Sequence, residues 1–331
     1  MKRKLGLFLA VVFCISALSA CSSNGKTENT GSKDGSNSDK VYNVGICQLV
    51  EHVALDAASK GFMEALKAKL GDKVKFDEQN AQGDSATAAT IVNQFVSSQV
   101  DLILANATSP LQAAAAGTTS IPILGTSITD YASALDIDNW NGATGRNISG
   151  TSDLAPLKEQ AAMLNELFPQ SKKVGIIYCS AEANSQYQAD MIKKELEALG
   201  KTVSFFTFVD TNDVQTVTKN AADQSDVIYL PTDNAVASNT GIIDAVCRPA
   251  GIPIITGEEG ICKGCGVATL SISYYDLGYT TGEMAYEILV NGADIKTMEI
   301  KYAPKVTKEY NKEICDALNI TIPADYTAIA D

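Results

Sequence analysis

From residue 41 onward the chain alternates short apolar runs with longer stretches whose apolar positions recur every three or four residues. In the first half, the runs at 41–47, 73–78, 100–106 and 121–125 have the length and content of strands. The stretch after the first run carries Leu55, Phe62, Leu66 and Leu70 near one helical face, and further helices are predicted at 85–98 and 109–116. The second half repeats the alternation, with strands at 172–178, 202–209, 226–230 and 252–256 and helices at 185–199, 213–222 and 235–247. Short apolar strands separated by helices predict α/β architecture, with a parallel sheet covered on both faces. The pairs Ile121-Pro122 and Ile252-Pro253 stand at strand starts, where the missing N–H of proline is tolerated.

The halves also repeat in sequence. Val44-Gly45-Ile46 recurs as Val174-Gly175-Ile176, and Asp101-Leu102-Ile103-Leu104 as Asp226-Val227-Ile228-Tyr229. Ile121-Pro122-Ile123-Leu124-Gly125-Thr126 recurs as Ile252-Pro253-Ile254-Ile255-Thr256-Gly257. The displacements (44 to 174, 101 to 226, 121 to 252) are nearly constant, so two similar half-molecules are expected. The predicted fold is two doubly wound parallel-sheet lobes joined by a multi-strand hinge, with a ligand cleft between them. Segments 139–153 and 266–274 read as crossovers, and a helix at 276–290 as packing back on the first lobe. The first lobe is then 41–150 plus about 275–300, and the second 151–274 plus about 301–331.

The N-terminus reads as an address. Met1-Lys2-Arg3-Lys4 is cationic and Leu5 to Leu18 is mostly apolar, too short to span a bilayer, so residues 1–20 are a signal peptide. Leu18-Ser19-Ala20-Cys21 resembles the bacterial lipobox, in which the cysteine receives a diacylglycerol and becomes the new N-terminus. Residues 22–40 contain no hydrophobic residue, so 21–40 reads as a lipid-anchored flexible tether. The folded part is thus expected on the extracytoplasmic face of the cell membrane.

Composition narrows the function. An apolar content of 45% excludes a disordered or collagen-like chain. The formal charge of −13 becomes −16 once Lys2, Arg3 and Lys4 leave with the signal, which argues against a nucleic-acid partner. The single histidine, His52, rules out His-rich metal sites and reads as structural. Beyond Cys21 the cysteines are scattered (Cys47, Cys179, Cys247, Cys262, Cys265 and Cys315), and only Cys262-Lys263-Gly264-Cys265 forms a C-x-x-C. No second pair accompanies it for zinc. The strand-like Gly266–Leu270 follows it instead of a helix, so these read as loop cysteines, free or paired. With no G-x-S-x-G, Walker loop or H-E-x-x-H, the chain is expected to be no enzyme and to need no cofactor or metal.

Open α/β sheets bind ligands beyond the C-terminal ends of their strands, where helix N-termini present free N–H groups. That rule selects Thr108 and Ser109, Thr126, Glu182 with Asn184 and Ser185, Thr232 with Asp233, and Glu258; Glu51 follows the first strand. These loops hold hydroxyls, amides and carboxylates but hardly a basic side chain. A ligand carboxylate would be held by helix-start donors and an ammonium by Asp233, Glu182 or another acid, which suits a zwitterion. Each of these residues is equally suited to capping a helix.

Several strings carry a resemblance: Glu51-His52-Val53-Ala54-Leu55-Asp56, Asn80-Ala81-Gln82-Gly83-Asp84, Ser180-Ala181-Glu182-Ala183-Asn184-Ser185, Asn212-Asp213-Val214-Gln215, Pro231-Thr232-Asp233-Asn234 and Tyr274-Tyr275-Asp276-Leu277-Gly278. In order across 41–320, they resemble the tryptophan/tyrosine-type substrate-binding lipoproteins of ABC importers, with a type I periplasmic-binding-protein fold. Val53 departs from a proline common in that family, and the Cys262/Cys265 pair is outside its pattern. The resemblance implies a two-lobed protein that closes on a small solute, an aromatic amino acid being the usual one, and delivers it to ABC permease and ATPase subunits. Two other functions fit part of the sequence: a lipid-anchored sensor presenting a nucleoside, sugar or amino acid to a membrane receptor, and a thiol–disulfide protein built on the C-x-x-C.

Overall fold

The computed structural model describes residues 40–303 and 305–330; the signal peptide, Cys21 and the tether lie outside the described residues. The first lobe begins with β1 (Tyr42–Gln48), α1 (Val53–Leu70), β2 (Val74–Asn80), α2 (Ser85–Ser97), β3 (Leu102–Asn106), α3 (Thr108–Gly117), β4 (Ile123–Ile128), α4 (Tyr131–Ala134) and β5 (Ile148–Ser152). The second comprises α5 (Leu157–Leu167), β6 (Lys173–Cys179), α6 (Ala183–Ala198), β7 (Thr202–Phe208), α7 (Val214–Gln224), β8 (Val227–Leu230), α8 (Asn234–Ala237), α9 (Thr240–Ala250), β9 (Ile254–Thr256), α10 (Glu259–Cys265) and β10 (Ala268–Ser271). The chain then returns for α11 (Tyr274–Leu289) and β11 (Lys301–Tyr302), and crosses again to β12 (Thr307–Tyr310), α12 (Lys312–Ala317) and β13 (Thr327–Ala328).

One sheet runs β2-β1-β3-β4-β5-β11 with every pairing parallel, and the other runs β7-β6-β8-β9-β10-β12-β13. The orders β2-β1-β3-β4 and β7-β6-β8-β9 are the same, which is the sequence repeat in three dimensions. The repeated acids do the same work in both halves. Asp101 accepts the N–H of Asn43 at 2.8 Å, and Asp226 accepts those of Lys172 and Lys173 at 2.7 and 2.8 Å, each fixing the start of the neighbouring strand.

Each sheet is covered on both faces. In the first lobe, Phe95, Ile103 and Leu111 fill one side, while Phe62, Leu66 and Leu104 fill the other beneath α11. Helix α11 lies against α1 at a distance only glycine permits: a Cβ on Gly278 would overlap the carbonyl of Ala58, and one on Gly61 the carbonyl of Tyr275. In the second lobe the two cores centre on Ile176 with Tyr229, and on Ile177 with Ile228.

Several sequence readings need correction. Segment 139–153 is mostly no crossover, because Ile148–Ser152 is a sheet strand and the chain leaves the first sheet only after it. Likewise 266–274 contains β10, leaving Ile272 and Ser273 as the passage, and Lys301–Tyr302 still pairs with β5 before the chain enters the second sheet for good. The helix expected over 235–247 is broken at Ser238 and Asn239 into α8 and α9. Cys262 and Cys265 lie on a helix, α10, rather than in a loop, and both are buried free thiols. Burial pushes both thiols up, away from the thiolate that exchange chemistry needs.

Candidate functional site

The strand order reverses between β1 and β3, and again between β6 and β8, and the residues just beyond these strands face one another across the cleft. Between them is a narrow cavity. The first lobe contributes His52, Leu55, Ser127 and, at the start of α11, Tyr274; the second contributes Asn184, Thr232, Asp233, Asn234, Glu258 and Ile261; Asp153 lines it from the passage after β5. No lysine or arginine is among the lining residues. A wider mouth, lined by Ser85 and Ser109 on one side and by Glu182 and Thr211 on the other, lies outward and shares Asn234 with the inner cavity.

Asp233, Thr232, Asn184 and Glu258, all selected from the sequence, therefore meet around one space. Their polar groups also hold the second lobe together. Asp233 is 1% exposed; its Oδ1 accepts the N–H of Val236 at 2.8 Å, capping α8, and its Oδ2 accepts that of Cys179 at 2.7 Å. Glu258 caps α10 by accepting the N–H groups of Gly260, at 2.6 Å, and Ile261. The Asn184 amide donates to the carbonyl of Thr232 at 3.1 Å. Glu182 opens on the mouth, and its carboxylate accepts the N–H groups of Asn234 and Ala235 at 3.1 and 2.9 Å.

Other selected residues lie elsewhere. Thr126 is fully buried in the first sheet, paired with Thr151 at 3.2 Å, and Ser185 is fully buried beside Asn184. Glu51 is exposed and lines neither space. Thr108 is buried, its hydroxyl without a partner among the described residues, at the start of a helix that has no side-chain cap; Ser109 lines the mouth.

Ser127 and Asn234, which also follow predicted strand ends, line the cavity as well, and sequence reasoning missed Asp153 and Tyr274. Ser127 follows the paired residues Asn106 and Thr126 with φ at +57°, and its buried hydroxyl has no partner among the described residues. Asp153 accepts from Thr129 Oγ1 at 3.1 Å and Tyr274 Oη at 2.8 Å. Its signal was available: reading 148–152 as a strand would have selected Asp153 by the same end-of-strand rule. Burial raises the pKa of all three cavity acids. Asp153 is raised, Asp233 is pushed up to about 8 by burial and then by nearby Glu182, and Glu258 is pushed up to about 7. The cavity thus presents three desolvated carboxyls and no cation of its own.

Residues 43–331 match the family model described as ABC transporter substrate binding protein. The chain belongs to this family. It is also similar to a tyrosine-binding protein of Clostridioides difficile (strain R20291), 38% identical over 296 residues that cover 87% of this chain and 84% of that one. Among solved structures, an ABC domain of Streptococcus pneumonia in complex with L-Trp is 30% identical, with a TM-score of 0.82 over 86% of this chain and 97% of that one. A ligand-free, open substrate-binding protein with adhesive properties from Clostridium difficile is 35% identical, with a TM-score of 0.67 over 87% of this chain and 99% of that one. The family fixes the type I periplasmic-binding-protein fold and an extracytoplasmic, non-enzymatic binding role. No helix among the described residues is long and apolar enough to cross a membrane.

Proposed function

We propose that this substrate-binding protein captures an aromatic amino acid, tyrosine or tryptophan before phenylalanine, for an ABC importer, while held to the membrane by a lipid on Cys21. The observation that carries the ligand class is the charge pattern of the cavity: three buried carboxyls, at Asp153, Asp233 and Glu258, with no lysine or arginine among the lining residues. Such a space gains most from a group that brings its own positive charge, because the charge offsets the cost of burying the acids. We assign the ammonium to Asp233, flanked by Asp153 and Glu258. The ligand carboxylate then faces the hydroxyl of Ser127, which has no partner among the described residues, with the Asn184 amide as the donor from the second lobe.

Two comparisons support this reading. The relatives include a tyrosine-binding protein and an L-Trp complex. The chain also superposes better on the L-Trp complex than on the open, ligand-free structure, although it is less identical to the former, which fits an arrangement closed around its site. Domains then move as two bodies, with the passages at 153–156 and 272–273 serving in the hinge.

The deciding experiment is calorimetric titration with L-tyrosine, L-tryptophan and L-phenylalanine, beside tyramine, a nucleoside and a hexose, followed by small-angle scattering. Binding that needs both ammonium and carboxylate, with a smaller radius of gyration at saturation, is expected. Tight binding of the hexose or nucleoside and none of the amino acids would sink the assignment.

A further inference from the structure

We infer that His52 and Asn234 form a clasp that holds the lobes shut, His52 acting as a positioning residue for closure. The inference rests on the reading of ligand-driven closure given above. Among the described residues two side-chain hydrogen bonds pass from lobe to lobe: His52 Nε2 to Asn234 Oδ1 at 3.2 Å, and Gln188 Nε2 to Thr129 Oγ1 at 3.0 Å. None of the ion pairs among these residues does so.

The proton on the first bond follows from its neighbours. Asn234 Nδ2 donates to Glu182 at 2.6 Å, so its oxygen faces the imidazole and accepts, and His52 presents N–H at Nε2. Glu182 also accepts the N–H groups of Asn234 and Ala235, so the second lobe holds the asparagine in place. On the first lobe His52 occupies the N-cap position of α1, where a short polar side chain ordinarily folds back on the helix. Its side chain makes no cap bond and reaches across the cleft instead. Gln188 differs, because it is also tied within its own lobe to the N–H and hydroxyl of Thr232. Asn234 lines both the inner cavity and the mouth, so the clasp stands at the neck between them and shuts a ligand inside.

The test uses mature protein labelled at Ser85→Cys and Thr211→Cys, exposed positions on opposite sides of the mouth. Pulsed spin-label distances are measured with and without L-tyrosine, and L-tyrosine dissociation is timed by stopped flow. A neutral hydrogen bond predicts that His52→Leu releases L-tyrosine roughly three- to tenfold faster and lowers the short-distance fraction. His52→Gln, which keeps a donor, should stay within about twofold of the parent on that scale. His52→Leu combined with Asn234→Leu should be no worse than the poorer single variant, since both remove one bond. Additive losses would mean that each side chain touches the ligand separately and would overturn the clasp, as would an unaltered release rate in His52→Leu. If the parent fails to bind L-tyrosine, the amino-acid reading falls; the ligand-free distances of parent and His52→Leu still decide the clasp, identical distributions refuting it.

Discussion

The hydroxyl of Tyr274 donates to Oδ2 of Asp153 at 2.8 Å, joining the start of α11, just after one passage between the lobes, to the passage that follows β5. Both residues also line the ligand cavity, so the hinge and the site share a hydrogen bond. Tyr274→Phe leaves a buried carboxyl oxygen without its donor, at a cost of about 1–3 kcal/mol. Urea unfolding of the ligand-free protein should show that loss; an unmoved midpoint would mean that Asp153 has a replacement partner.

Asp233 carries two backbone N–H groups and faces the cavity, so its substitution separates capping from recognition. Breaking a buried charge-assisted pair at one end costs on the order of 2–5 kcal/mol, or roughly 30- to 4,000-fold in affinity. We expect Asp233→Asn to lose L-tyrosine affinity in that range. Affinity within about threefold of the parent would return Asp233 to its role as the cap of α8 and move the ammonium to Asp153 or Glu258.

The raised acids make both stability and binding depend on pH. Asp233 moves from 3.8 to about 8 and Glu258 from 4.5 to about 7 on folding, so between these limits the folded chain holds protons that the unfolded chain has released. Stability of the ligand-free protein should therefore be greatest at the acid end of this window and fall as pH rises through it. An ammonium beside these acids lowers their pKa and expels protons. Near pH 7, binding enthalpies measured in phosphate and in Tris should differ by the heat of protonating the buffer. Equal enthalpies would show that the acids are already ionised or that the ammonium lies elsewhere.

The α1–α11 contact depends on an absent side chain. Gly278→Ala places a methyl group against the carbonyl of Ala58 and should destabilise the first lobe by about 1–3 kcal/mol in thermal or urea melts. Binding measured well below the melting point should change little, because Gly278 does not line the cavity.

For anchoring, one thiol is decisive. Cys21→Ala should abolish lipid attachment, so that fractionated cells retain precursor or release the protein. Normal amounts of mature protein in the membrane fraction would refute the lipobox reading.

The amino-acid sequence by itself determined the α/β class, the repeated half-molecule and the strand ends that bear Asn184, Thr232, Asp233 and Glu258. Those features are local: apolar runs dictate buried strands, and helix starts follow strand ends at short range. It fell short where one residue's role depends on distant neighbours. The run at 148–152 is rich in Ser, Thr and Gly, and it becomes a strand because β4 and β11 flank it. The same dependence hid Asp153, which faces the cavity only once Thr129 and Tyr274 are brought to it. His52 read as structural because nothing near it in sequence needs an imidazole. Its partner, Asn234, is 182 positions away and belongs to the other lobe. Cap and ligand contact use the same residue types at the same helix starts, so composition and spacing could not separate Asp233 from an ordinary cap. The tertiary structure decided which of these carboxyls share one desolvated space, because desolvation is a property of everything packed around a group rather than of the chain on either side of it.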